Sequence, residues 1–291
     1  MKRFLARWAG ICLFVILSSS FCLLAQTTCD EGNGALSTAQ PQGIAPQEII
    51  QKTAAKETVF KQARNNYSYT QDVTVQTVDG NTVDGEFRQV WDITYSDTGA
   101  RLENVTFAPQ NTLTRITMTR EDFSDIRNRL PFVLTTEDLA LYDVLYVGKQ
   151  HVDEIDTYVF DMAPKRIEKD KRYFQGRIWV DDHDLQIVKT CGKNVPDVAQ
   201  ATSKKKNVQE NLSPKFVTYR EQIDGVYWFP TYTRADDTLH FVGNDVHVRE
   251  IIKYTNYKKF VFGATHKIIF KGEVPPEDKD KKDDKPPEKK Q

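Results

Sequence analysis

Residues 171–232 read as two β-hairpins in succession, and this pattern commits the chain to an antiparallel sheet. The stretch KRYFQGRIWV turns at DDHD and returns as LQIVKTCG; after a basic, polar loop, KFVTYREQI turns at Asp224-Gly225 and returns as VYWFPTYTR. In the first strand Phe174, Gly176, Ile178 and Val180 share one face, and Tyr173, Gln175, Arg177 and Trp179 share the other, because strand side chains alternate with period two. Asp-Gly between β-rich runs marks a tight turn, since Gly takes positive φ without steric cost.

The same alternation recurs upstream. Tyr67, Tyr69, Val73 and Val75 precede a run in which Val83, Phe87, Trp91, Ile93 and Tyr95 fall on one face and Asp84, Glu86, Arg88, Asp92, Thr94 and Ser96 on the other. One dry and one wet face is a pattern that antiparallel sheets permit. Asp79-Gly80 and Thr98-Gly99 mark turns, and strands are expected over 101–107, 113–119 and 157–162. Asp236-Asp237 predicts a further turn. Val246, Val248, Ile252 and Tyr254 alternate into a long late strand, and 264–270 reads as the closing one.

Helices are expected at three places. Pro46 stands at the entrance of one over 47–64, with Ile49, Val59, Phe60 and Ala63 on one side. Thr119-x-x-Asp122 and Thr135-x-x-Asp138 have the form of helix N-termini, in which a hydroxyl satisfies a free backbone N–H. Phe123, Ile126 and Leu130 follow the first, which Pro131 stops; Leu139, Tyr142 and Tyr146 follow the second. These two helices interrupt a run of strands and are placed to cover it, so Phe123, Ile126, Leu139 and Tyr142 form a candidate lid.

The ends differ from the middle in composition. Lys2, Arg3 and Arg7 precede an apolar run over 8–17 and a small-residue zone ending at Ala25, which is the form of an export signal over 1–25. An uncleaved membrane anchor is the rival reading. A linker rich in Gly, Ser, Thr, Gln and Pro is expected over 26–46, the β domain over 47–271 and a disordered charged tail over 272–291. With Cys12 and Cys22 in the signal, Cys29 and Cys191 remain; they can pair in an oxidising compartment, or Cys29 can carry a lipid, or both can be free. The net charge of −1 gives no pull toward nucleic acid. A content of 39% hydrophobic residues, with 11% aromatic, suffices for one core.

No nucleophile elbow, zinc-helix motif, Cys-x-x-Cys pair or phosphate-binding glycine loop is present, and no cofactor is expected. The Asp181-Asp182-His183-Asp184 cluster reads as a hairpin turn, with a secreted metal-dependent hydrolase as the alternative. The row Phe87, Trp91, Ile93, Phe174, Ile178 and Trp228 is either ordinary core or the lining of an apolar cavity.

The stretch YFQGRIWVDDHDLQIVKTCG followed by FVTYREQIDGVYWFPTYTR resembles the LolA-like family of periplasmic lipoprotein carriers, in its outer-membrane lipoprotein-sorting branch. The resemblance runs from about Gln47 to Phe270. It implies a half-open antiparallel β-barrel with an N-terminal helix and an inserted helical lid, whose apolar interior shelters acyl chains. The expectation is a monomeric, non-catalytic carrier of lipid or acylated lipoprotein in the periplasm of a bacterium. An envelope adaptor that binds another protein through a sheet edge or its tail is the alternative.

Overall fold

A computed structural model describes residues 29–30, 32–128, 130–197, 212–241 and 243–260. The export signal, the basic loop over 198–211, the strand expected over 264–270 and the charged tail lie outside them. Ten strands form one sheet: β1 Tyr67–Asp79, β2 Thr82–Tyr95, β3 Arg101–Phe107, β4 Tyr142–Val152, β5 Ile155–Pro164, β6 Tyr173–Asp181, β7 Ile187–Val195, β8 Phe216–Gln222, β9 Trp228–Phe241 and β10 Asn244–Lys259. Their order is β3-β2-β1-β10-β9-β8-β7-β6-β5-β4, and each neighbouring pair is antiparallel. The sheet is open, with β3 and β4 as its edges. This is the mainly β architecture that the hairpins imply, open along one side as the resemblance implies.

Helix α1, Pro46–Ala63, fills the concave side. Its buried stripe is Ile49, Ile50, Thr53, Ala54, Glu57 and Phe60, a helical period interrupted by polar residues. Val59, expected inside, is 53% exposed; the stripe was obscured because one of its members is a glutamate. Glu57 and Arg220 of β8 form a buried ion pair with side chains 0% and 1% exposed. The guanidinium donates to both Glu57 oxygens at 3.0 and 3.1 Å and to the Phe132 carbonyl, and it lies over the Phe60 ring. Glu57 also accepts the Ile187 N–H at 3.2 Å.

β3 and β4 are consecutive in the chain yet lie at opposite edges, so the insertion between them must cross from one edge to the other. It contains α2, Arg120–Asn128, and the single turn α3, Thr136–Leu139. Both expected caps form: Thr119 and Asp122 exchange hydrogen bonds, and Thr135 and Asp138 make a capping box. Two expectations are corrected here. Residues 113–119 are not a strand; the segment is tied to β2 by the preceding Thr112, whose N–H reaches the Glu86 carbonyl, and by Arg115, which pairs with Asp84. Tyr142 and Tyr146 belong to β4, not to a helix. Tyr142, Val144 and Tyr146 also fit a spacing of two, and pairing with β5 decides between the periods.

Asp236-Asp237 is likewise no turn. β9 runs through it because Asp236 meets His247 and Arg249 across the ladder, and Asp237 accepts the Lys215 N–H. The turn falls at Gly243, with φ of 85°.

On the outer face, β5–β8 are covered as well. Val159, Trp179, Val188, Cys191 and Val217 form a second cluster there, with Cys29 and Leu36 packed on it. The stretch that composition reads as a linker is, over Cys29 to Ala39, an ordered strap. Asn33 and Ser37 make β-bridges to Val152 and Lys149, and Cys29 is disulfide-bonded to Cys191 with Cα atoms 5.5 Å apart. Gln150 knits the strap to the sheet: its Oε1 accepts from Trp179 Nε1 and Asn33, and its Nε2 donates to the Gly34 carbonyl. Beside the disulfide, Gly176 faces Gly192 so closely that a Cβ on Gly176 would lie 2.2 Å from the Cys191 carbonyl oxygen. Only glycine fits there.

Breaking a buried pair strands one charge, whereas replacing both partners does not. Glu57→Gln and Arg220→Met are each expected to cost ~3–5 kcal/mol in urea unfolding, with much of it recovered when both positions become Met. Single variants unfolding within experimental error of the parent would show that α1 is held without this pair.

Candidate functional site

The interior is filled at one end and hollow at the other. At the filled end Trp91, Ile93, Phe174 and Ile178 are buried in the core with Ile49, Ile50 and Ala54 of α1. Phe132 of the insertion stacks on Phe174 with ring centroids 4.6 Å apart, and Phe87 meets Phe123 edge-on. Trp228 does not join them. It packs on the outer cluster, and its Nε1 donates to Asp184 at 3.2 Å, because the ladder shifts register between Tyr219 and Arg220 and changes which residues face inward.

The hollow end holds a cavity of about 450 Å³, within the ~300–1,000 Å³ of small-molecule sites. β1, β10 and β9 supply Val75, Val248, Glu250 and Leu239; the insertion supplies Ile116, Met118, Asp122, Asp125, Ile126 and Leu130. Leu212, Phe216 and Asn194 complete the far wall. Of the residues singled out from the sequence for cavity or lid, Ile126 alone lines this cavity; Trp91, Ile93, Phe174, Ile178 and Tyr142 are buried core, Phe87, Phe123 and Leu139 pack half-buried against that core, and Trp228 lies on the outer cluster.

The insertion is tied to the sheet at both flanks. Arg127 forms a two-pronged bond with Glu103 of β3 at 2.7 and 2.8 Å. Arg172 binds Asp125 of α2 at 2.7 Å and Ser213 at 2.9 Å. Thr218 donates to the Leu130 carbonyl at 2.8 Å. With Leu134 fully buried and Ile126, Leu130 and Phe132 at most 5% exposed, the insertion is a wall of the core as much as a cover.

Electrostatics sets the hollow end apart. Glu250 belongs to the inward row Val246, Val248, Glu250, Ile252 and Tyr254, and its cross-strand neighbours are Val75 and Ala235. Neither can hydrogen-bond to a carboxylate. Burial, then the nearby charges of Asp122 and Asp125, pushes its pKa up to about 8. Asp122 is also raised by burial, against the opposing bonds from Thr119. Asn194, 3% exposed, leaves its Oδ1 without a hydrogen-bond partner. Sequence reasoning missed Glu250, although an acid in phase with four apolar residues was a visible signal.

The acidic hairpin is a turn. Asp181 accepts the Asp184 N–H at 2.6 Å, Asp182 pairs with Lys149, and Asp184 accepts from Gln222 and Trp228, while the His183 side chain is 91% exposed. Among the described residues no group of three or more His, Cys, Asp or Glu side chains is placed to hold a metal. No described helix is long and apolar enough to cross a membrane.

No family model and no curated protein matches the sequence. Among solved structures the chain is similar to a DUF1329 family protein from Desulfovibrio piger, with 17% identity, a TM-score of 0.35, and 71% of this chain and 91% of that one covered. It is similar to a putative outer membrane lipoprotein-sorting protein domain from Vibrio parahaemolyticus, with 12% identity, a TM-score of 0.34 and coverage of 72% and 93%. A LolA superfamily protein from Nitrosomonas europaea matches with 13% identity, a TM-score of 0.31 and coverage of 75% and 94%. Similarity at this level transfers no ligand.

Because Glu250 ionises near pH 8 when folded and near its ordinary value of 4.5 when unfolded, the unfolded state releases this proton first as pH rises. Its contribution therefore weakens the fold progressively from about pH 4.5 to about pH 8. Glu250→Gln is expected to remove that slope, gaining on the parent steadily across this window in urea midpoints. Parallel curves for the two proteins would contradict the raised pKa of this acid.

Proposed function

We propose that the chain is a non-catalytic binding or carrier protein for lipid-like molecules, exported to the periplasm of a bacterium and acting as a monomer. The observation that carries this reading is the cavity between β1, β9, β10 and the insertion, with its wall of Val75, Ile116, Met118, Leu212, Leu239 and Val248. Each methylene moved into such a lining from water contributes ~0.8 kcal/mol before ordering costs, so a partly buried acyl chain binds usefully without bond chemistry. The disulfide between Cys29 and Cys191 fits an oxidising compartment. Lipid or the acyl chains of a lipoprotein are the proposed cargo. Entry is beside Thr114, Thr117 and Asn244, the exposed residues at the cavity mouth, so the insertion need not swing away as a whole.

A second reading rests on the β3 edge, where Leu102, Val105 and Phe107 are about half exposed. An unpaired edge of this kind accepts a strand from another protein, which would make the chain an envelope adaptor.

Native mass spectrometry of protein purified from its own envelope tests the carrier reading. The parent is expected to carry a non-covalent adduct of lipid mass. Val248→Trp and Leu239→Trp, which fill the cavity, are expected to lose the adduct while keeping cooperative unfolding. An adduct-free parent that also binds no added single-chain amphiphile, whether acid, alcohol or amine, would refute it.

A further inference from the structure

The cavity is not uniformly apolar: Thr114, Arg115, Thr117, Thr119, Ser213 and Asn244 line it beside three acids and Asn194. Glu250, Asp122 and Asn194 present acceptor oxygens to it. Glu250 has neither a hydrogen bond nor an ion pair among the described residues, and the buried Asn194 Oδ1 is unpartnered. The cations nearby are already engaged: Arg172 with Asp125 and Ser213, and Arg115 of the insertion with Asp84 at 2.9 Å. Three carboxylates and an orphaned amide oxygen thus share a hollow whose lining otherwise mixes hydroxyls and one paired arginine with aliphatic and aromatic side chains. An anionic head would meet Asp122, Asp125 and Glu250 together, and a purely apolar ligand would leave the buried Asn194 Oδ1 unsatisfied, which is costly.

We propose that this cavity selects an amphiphile with a primary ammonium head, held by Glu250 and Asn194 with its apolar chain along Val75, Ile116, Leu239 and Val248. The inference rests on the carrier reading and adds the chemistry of the head group. An ammonium brings three donors to acceptors that lack them. The amine of an aminophospholipid and that of a single-chain amine share this chemistry, but the phosphate of the former would lie close to Asp122 and Asp125, which favours the single-chain form.

Proton linkage gives the proposal a signature that mere hydrophobic capture lacks. Glu250 holds its proton up to about pH 8 in the empty cavity, through burial and the Asp122 and Asp125 charges. Seating an ammonium beside it favours the carboxylate and expels that proton to solvent. Affinity for the amine therefore rises with pH below about 8, by at most about tenfold per unit for one released proton.

Isothermal titration with dodecylamine, dodecanol, dodecanoate and lysophosphatidylethanolamine, each below its micelle-forming concentration at pH 6, 7 and 8, tests this. Dodecylamine is expected to bind at least tenfold more tightly than dodecanol at pH 7, with dodecanoate weakest and the affinity for the amine rising severalfold per pH unit. Glu250→Gln, checked for folding by circular dichroism, is expected to abolish both the preference for amine over alcohol and the pH slope. Asn194→Leu is expected to reduce the preference and keep the slope. Lysophosphatidylethanolamine binding as tightly as dodecylamine would overturn the choice of the single-chain form. Dodecanol binding as well as dodecylamine, or a slope that survives in Glu250→Gln, would overturn the head-group inference and leave the carrier reading standing. Failure of all four probes to bind would remove both.

Discussion

A single open sheet has no second layer against which to close, so the position of α1 on its concave face governs everything inside. The Glu57–Arg220 pair sets that position. Arg220 reaches from β8 to the α1 carboxylate, to the Phe132 carbonyl of the insertion and over the Phe60 ring, while the same carboxylate accepts the Ile187 N–H. Four segments of the chain meet at one charge pair. Apolar packing alone would let the helix slide along a greasy surface; a buried charge tolerates very few positions.

From that fixed point the interior divides. Toward the filled end the space is taken by α1 and by aromatic residues of the insertion. Toward the other end the irregular part of the insertion replaces the helix, and it carries too little volume to fill the hollow. The cavity is thus a consequence of how far α1 reaches. Glu250 sits where helix packing has stopped, and among the described residues no hydrogen bond or ion pair reaches it. The bonds of Arg127 to Glu103 and of Arg172 to Asp125 hold the insertion over the hollow from both flanks.

The outer face follows a different logic. Along β5–β8 both faces are buried, because the strap from Cys29 to Ala39 crosses the back of the sheet and the disulfide secures it. The strap leaves the concave side untouched, so the stabilisation of the sheet and the openness of the cavity are set on opposite faces.

Strands, turns and caps were legible because their signals are local. The alternation through Trp91 and Ile93, the Asp224-Gly225 turn and the Thr119 and Thr135 caps each depend on residues within a few positions of one another. The sequence by itself therefore determined an antiparallel sheet with a leading helix and a helical interruption. It could not place Trp228, whose face depends on a register shift against β8, nor separate strand from helix at Tyr142 and Tyr146, where both periods fit. It also could not show that the aromatic row is filled core while the hollow lies beside Glu250. Those outcomes depend on pairings such as Glu57 with Arg220, 163 residues apart, and on the cross-strand placement of Val75 and Ala235 beside Glu250. Only the tertiary structure decides them, because burial and electrostatic isolation belong to the surroundings that distant segments build.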